Sequence, residues 1–242
     1  MGKTHRIAVV TGATRGIGLE TARQLAQEGV QVFLAGRDWP RAVASALCLR
    51  AEGLDVEALC VDVTATGSID AAAASIRSWH GKLDILVNNA GVMVNDPARK
   101  PPAQGKDVWR YTFDTDLFGL IAVTQSFLPL LRLAPSATIV NVSSLLGSLL
   151  LHTKEASPSY DFNTPPYIVG KAAVNTWTLQ LAWELRDASF RVNAVHPGYV
   201  RTDMNRGEGD IDVVLGAGSS LDPALIDSSG PTYSYLGKVL AW

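Results

Sequence analysis

The chain has 242 residues, 47% hydrophobic and 18% charged, with a formal net charge of −2; it can bury a full core and is too apolar for disorder. No run of Lys or Arg is long enough to grip a nucleic acid, and Cys48 and Cys60 make neither a disulfide framework nor a metal cluster. Met1-Gly2-Lys3-Thr4-His5-Arg6 runs straight into strand-like residues without a signal-peptide pattern, and the apolar stretches near 117–123 and 127–133 contain Gly119 and Pro129 and cannot span a bilayer, so a cytoplasmic protein with no membrane partner is expected.

Along the chain, β-branched apolar runs at 7–10, 30–35, 56–61, 85–87, 139–142 and 192–195 read as strands. They are nearly continuous in apolar character, which fits strands buried on both faces. Segments 17–28, 41–51, 68–79, 108–131 and 166–186 carry helical spacing between them. Such alternation predicts one α/β domain over 1–242, a Rossmann-type doubly wound parallel sheet of about seven strands with helices on both faces. Two stretches fall outside this pattern. Residues 152–166 are polar and hold Pro158, Pro165 and Pro166, so a surface loop is expected. Residues 206–230, rich in Gly, Ser and Asp, are either a mobile substrate lid or a poorly formed helix.

After the first strand comes Thr11-Gly12-Ala13-Thr14-Arg15-Gly16-Ile17-Gly18. Glycines 12, 16 and 18 allow a tight turn, close approach to a pyrophosphate and close packing of the next helix, whose N-terminus favours an anion. An NAD site places Asp or Glu at the end of the second strand; this chain has Gly36 followed by Arg37, with Arg15 in the turn. Two guanidiniums there select the 2′-phosphate of NADP(H), each by roughly 1.5–3 kcal/mol, or about tenfold or more. Asp38 is placed to neutralise part of the Arg37 charge.

Several separate motifs between residues 7 and 204 together resemble the short-chain dehydrogenase/reductase family. The 11–18 turn matches its TGxxxGxG. Asp62-Val63 matches the segment whose Asp contacts the adenine, and Asn88-Asn89-Ala90-Gly91 matches the NNAG segment that supports the central sheet, with Asn89, Ala90 and Gly91 at the cofactor. Pro197-Gly198, with Val200 and Thr202, matches the stretch that holds the nicotinamide carboxamide. Ser144-Leu145-Leu146-Gly147 matches the Ser-x-x-Gly at the end of the fifth strand, where open α/β sheets bind ligands. In the family that hydroxyl orients the substrate carbonyl; Ser143 is expected to be a backbone-bonded turn residue. The separation between Ser144 and Tyr167, with the segment 149–166 between them, resembles the carbonyl-reductase branch, which implies a monomer or homodimer. At position 116 the family's Asn-x-x-Gly is replaced by Asp116-Leu117-Phe118-Gly119. An ionised Asp116 there steadies Lys171 and opposes loss of the Tyr167 proton.

Tyr167 and Lys171 are four residues apart, on one face of one helix. Free tyrosine titrates near pH ~10; bringing it toward neutrality takes roughly 4 kcal/mol, which Lys171 and a nicotinamide cation are expected to supply jointly. Tyr160 has Thr164 where its lysine would stand. His5, His80 and His152 are expected at the surface, and His196 borders the pocket without a second metal ligand. The reading is an NADPH-dependent, reversible reductase of small-molecule ketones or aldehydes, with Tyr167 as proton donor, Lys171 on the nicotinamide ribose and Ser144 on the carbonyl. Leu145, Leu146, Leu149 and Leu150 imply an apolar pocket, with Met93 to Asn95 and Tyr199 also on its lining. The rival is a non-catalytic NADP-binding sensor on the same scaffold. Such proteins usually lose the Tyr or the Lys, and this chain keeps both.

Overall fold

In the computed structural model, residues 5–94, 103–153, 164–186, 189–225, 233–235 and 238–240 are described. Asn95, Tyr160, the 154–163 part of the loop and the 226–230 end of the 206–230 segment lie outside them. The strands are β1 (Ile7–Thr11), β2 (Gln31–Gly36), β3 (Val56–Cys60), β4 (Ile85–Asn88), β5 (Ala137–Val142), β6 (Phe190–Val195), β7 (Tyr233–Tyr235) and β8 (Lys238–Val239). They form one sheet in the order β3-β2-β1-β4-β5-β6-β7-β8. Pairs from β3 through β7 are parallel, and β8 closes the edge antiparallel. The doubly wound parallel sheet is the expected one, with eight strands among the described residues against about seven expected.

The helices are α1 (Gly16–Gln27), α2 (Trp39–Ala51), α3 (Thr66–His80), α4 (Lys106–Phe113), α5 (Leu120–Leu131), α6 (Leu149–His152), α7 (Pro165–Glu184) and α8 (Val213–Leu225). Alternation along β1 explains the continuous apolar runs. Ile7 and Val9 join Phe33, Leu86, Phe127 and Leu181 on the face covered by α3, α5 and α7. Ala8 and Val10 join Leu25, Leu34, Leu49 and Ala224 on the face covered by α1, α2 and α8. Each fully buried Leu or Phe contributes roughly 1.5–3 kcal/mol, so both faces must be apolar.

Two predicted elements are corrected. The single helix expected over 108–131 is α4 and α5 joined by a π-helical turn, Asp114–Gly119. Gly119 makes this turn fit: a Cβ there would stand 2.8 Å from the Val63 carbonyl oxygen. Residues 206–225 hold a full helix, α8, with Gly216, Ala217, Ser219 and Ser220 buried. The stretch before it folds back on Tyr199, whose carbonyl accepts from Asp210 and Ile211 N–H at 2.8 and 3.2 Å.

Candidate active site

The C-terminal ends of β1, β4, β5 and β6 gather the predicted residues. Gly12 (φ +62°) and Gly16 (φ +56°) are left-handed, and a Cβ on Gly12 would meet Ala90 Cα at 2.8 Å. A Cβ on Gly18 would meet Asn89 Nδ2 at 2.3 Å. Asn89 draws the turn onto β4: its Nδ2 donates to Thr11 O (2.9 Å) and Gly12 O (3.2 Å). Thr11 Oγ1 accepts from the Asn89 and Ala90 N–H groups. Helix α1 begins without a side-chain cap and without an acidic residue in its first turn. Its orphan N–H groups and positive dipole end are left for an external anion, so the turn fits a pyrophosphate.

Gly36 has no room for a side chain, because a Cβ would lie 2.4 Å from Thr14 Cγ2. A carboxylate that would read a ribose 2′-hydroxyl therefore cannot stand there without displacing Thr14. Arg37 beside it is exposed. Asp38 caps α2, accepting from Arg41 N–H at 3.1 Å, with Pro40 in the first turn. Asp62 is held below the usual carboxylate range by bonds from Thr64, with a smaller pull from the Arg37 charge. Arg15 reaches across the cleft to Asp203 at 3.0 Å. Thr202 approaches Gly16, and Gly198 turns at φ +93°. Helix α8 backs this segment, with Gly216 against Val200 and the Pro197 carbonyl.

Helix α7 brings Tyr167 and Lys171 to the same end of the sheet. Lys171 is 4% exposed, and its Nζ lies 5.3 Å from the centre of the Tyr167 ring. Nζ donates to the Val142 carbonyl at 3.0 Å and stands 3.7 Å from Asp116 Oδ2. Asp116 is fully buried in the π turn. Its Oδ1 accepts from Val92 N–H at 2.7 Å, and its Oδ2 has no hydrogen-bond partner among the described residues. Burial pushes the Asp116 carboxyl up, against the pull of Lys171 and the Val92 amide. Lys171 was expected to bring Tyr167 down jointly with a nicotinamide cation, and it pulls in that direction. Burial, with the Asp116 charge added, raises the phenol above its usual value despite Lys171 and a hydrogen bond with Ser144.

Ser144 opens a short 3₁₀ turn, Leu145–Gly147, and its Oγ accepts from Leu146 N–H at 3.2 Å. With that lone pair occupied, Ser144 still has its one O–H to donate to an oxygen acceptor. Ser143 Oγ faces a backbone and a side-chain acceptor, Lys171 O at 3.4 Å and Asn175 Oδ1 at 2.5 Å, while Asn175 Nδ2 donates to Gly147 O at 3.2 Å. Asn175 thus ties the serine strand end to α7, one turn beyond Lys171. His152 is partly buried, and its Nε2–H donates to Leu146 O at 2.6 Å. His196 Nδ1 accepts from Leu145 N–H at 3.1 Å.

Gly147 packs directly on α7; a Cβ would meet Lys171 C at 2.7 Å and O at 2.8 Å, both backbone. Gly147→Ala should therefore cost about 1–3 kcal/mol of stability and, by pushing the Ser144 turn off α7, lower turnover. Urea unfolding and kcat measured on the same preparation check both effects. Burial also lowers His196 to about 4. Its neutral form is the one that folds, so stability falls as pH drops from about 6.5 toward 4, by up to about 3 kcal/mol. Urea midpoints at pH 7, 5.5 and 4.5 should show a shallower decline for His196→Asn than for the native chain.

Asn175, Val142 O and Asp203 were not expected among the site's partners, and His196, expected at the pocket border, was not expected to accept from Leu145 N–H. Asn175 was findable, because Tyr167, Lys171 and Asn175 repeat every four residues along one helix face.

Residues 6–211 match the family model for short chain dehydrogenases. The chain is 34% identical to (+)-neomenthol dehydrogenase of Arabidopsis thaliana, over 93% of both chains. It is 33% identical to (−)-isopiperitenone reductase of Mentha piperita, over 96% of both. Among solved structures, the NADPH-bound carbonyl reductase from chicken fatty liver superposes with a TM-score of 0.84 at 28% identity, covering 98% of this chain and 99% of that one. Salutaridine reductase from Papaver somniferum gives a TM-score of 0.82 at 29% identity, covering 96% and 100%. A glycine turn braced by Asn89, a Tyr-Lys pair on one helix face and a serine at the end of β5 thus occur together in a chain that belongs to the short-chain dehydrogenase/reductase family.

Proposed function

We propose that the protein is an NADPH-dependent reductase of ketones or aldehydes, reversible as an alcohol dehydrogenase, of the carbonyl-reductase type. The observation that carries this reading is the convergence of Ser144, Tyr167 and Lys171: Tyr167 is bonded to Ser144 and Lys171 Nζ is 5.3 Å from its ring. The dinucleotide would lie over Gly12, Thr14, Arg15, Gly16, Ile17 and Gly18, with Arg37 on its 2′-phosphate. Asp62 and Val63 would face the adenine. Asn89, Ala90, Gly91, Pro197, Gly198, Val200 and Thr202 would border the nicotinamide end. When bound, a reduced nicotinamide supplies hydride for the carbonyl carbon. Ser144 donates its hydrogen to the carbonyl oxygen and stabilises charge as it develops. Tyr167 gives its phenolic proton to the nascent alkoxide, and the buried ammonium of Lys171 stabilises the phenolate left behind.

The exposed apolar side chains at this end of the sheet, Val94, Leu149, Leu150 and Met204, favour a bulky apolar carbonyl substrate. The proposal extends to a cytoplasmic monomer or homodimer acting on a small molecule; no described helix is long and apolar enough to cross a membrane. Steady-state NADPH oxidation with a panel of ketones and aldehydes tests the reading. Turnover of an apolar carbonyl is expected, whereas tight NADPH binding with no turnover points to the sensor on the same scaffold. Arg37→Ala should weaken NADPH about tenfold or more and NADH little. Equal weakening in fluorescence titrations with the two cofactors would remove Arg37 from the 2′-phosphate.

A further inference from the structure

We propose that His196 is a positioning residue for Ser144, acting by holding the first amide of the turn that follows it. The parallel ladder between β5 and β6 pairs Val142 with Val195, and Ser143 N–H donates to Val195 O at 2.8 Å. The next donor along β5 is Leu145 N–H, whose ladder acceptor would be the carbonyl of Pro197. The chain has turned by then, with Gly198 at φ +93° and the Pro197 carbonyl facing Gly216 of α8. His196 Nδ1 accepts from Leu145 N–H instead. An imidazole therefore replaces the backbone partner at the point where the sheet ends and the Ser144 turn begins.

This matters for Ser144 because its other restraints fix the turn at different points. Leu146 N–H directs one Ser144 lone pair, His152 holds Leu146 O, and Asn175 holds Gly147 O. The Leu145 amide, bonded directly to the Ser144 carbonyl carbon, is held by His196. Without that acceptor, a partly buried N–H loses its partner, and the peptide plane beside Ser144 can rotate to recover one. The acceptor must be an unprotonated Nδ1, a state that burial of this ring favours.

The inference rests on the reductase reading, and a double-mutant cycle separates the two. His196→Phe keeps ring volume and removes the acceptor, whereas His196→Asn keeps an acceptor atom equally far from Cα. His196→Phe should lower kcat for carbonyl reduction about ten- to a hundredfold, with KM and NADPH affinity within about twofold; His196→Asn should stay within about threefold of the native kcat. In a Ser144→Ala background His196→Phe should cost less than about twofold, because the group it positions is gone. Equal losses in the Phe and Asn variants, or a full loss in the Ser144→Ala background, overturn the assignment. Should His196→Phe fail to fold, seen as lost NADPH binding, His196→Gln takes its place in the same cycle, since its acceptor lies one bond farther out. If the native protein turns over no carbonyl, the reductase reading has failed. The His196 contact is then judged alone by its ¹⁵N shifts, where a protonated Nδ1 at neutral pH overturns it.

Discussion

Tyr167→Phe should bind NADPH with unchanged affinity and reduce carbonyl compounds about 10²- to 10⁴-fold more slowly, the range a positioned general acid supplies. The substitution removes one hydroxyl and leaves the ring beside Lys171, so Lys171 Nζ keeps its bond to the Val142 carbonyl and its place near Asp116. Ser144 Oγ keeps the Leu146 amide and loses its Tyr167 partner. The expected signature is a collapse of kcat with little change in cofactor Kd, read from single-turnover kinetics beside a fluorescence titration. Undiminished turnover would discard Tyr167 as the proton donor.

The second large effect is expected at Asp116. Its carboxylate stands 3.7 Å from Lys171 Nζ inside the fold, and its negative charge works with burial to hold the Tyr167 proton on. Alcohol oxidation needs that proton off before hydride can leave the alcohol carbon, so the native enzyme should show its oxidation optimum at high pH. Asp116→Asn keeps the acceptor for Val92 N–H and deletes the charge. Tyr167 then loses its proton more readily, and the rising limb of the pH–rate profile moves down by about one to two pH units. That shift corresponds to about 1–3 kcal/mol of electrostatic interaction in a partly buried site. Below the optimum, oxidation should speed up about ten- to a hundredfold. The measurement is a pair of pH–rate profiles, and superimposable curves would mean that Asp116 carries its own proton throughout. Burial raises the Asp116 carboxyl and Lys171 opposes that rise, so the profiles report which influence prevails in the working enzyme.

Most of the fold was legible because burial on both sheet faces leaves its mark on every central strand, as in the wholly buried β1, β4 and β5. The π turn was not, because it keeps the chain helical from α4 into α5 without a break in the pattern. Nor were β7 and β8, which are three and two residues long and have no periodicity to read. The helix formed by 213–225 was obscured by Gly216, Ser219 and Ser220, small residues that let it lie against the sheet and the Pro197–Val200 segment. Within the site, Tyr167, Lys171, Ser144 and Asp116 were named from spacing and family pattern. Their backbone partners, such as Val142 O and Leu145 N–H, carry no side-chain signature. The cap role of Asp38 was not read although Pro40 stands two residues on, where a helix start is common.

One buried feature bears on how the site forms. Asn88 Nδ2 donates to Asn141 Oδ1 at 2.9 Å and to Thr124 Oγ1 at 3.0 Å, and Asn141 Nδ2 donates to Thr178 Oγ1 at 2.9 Å. Two neighbouring strands and the helices on one face of the sheet are thereby laced through amides that water does not reach. A slip of one residue between β4 and β5 would turn one of the two asparagines to the opposite face and strand its partners, a cost of several kcal/mol for the set. Parallel strands separated by whole helices find each other slowly and can miss their alignment. Here a misaligned sheet is penalised at the same contacts that seat α7, the helix carrying Tyr167 and Lys171. The contacts that reward the right register of β4 and β5 are thus the same ones that hold α7 on the sheet.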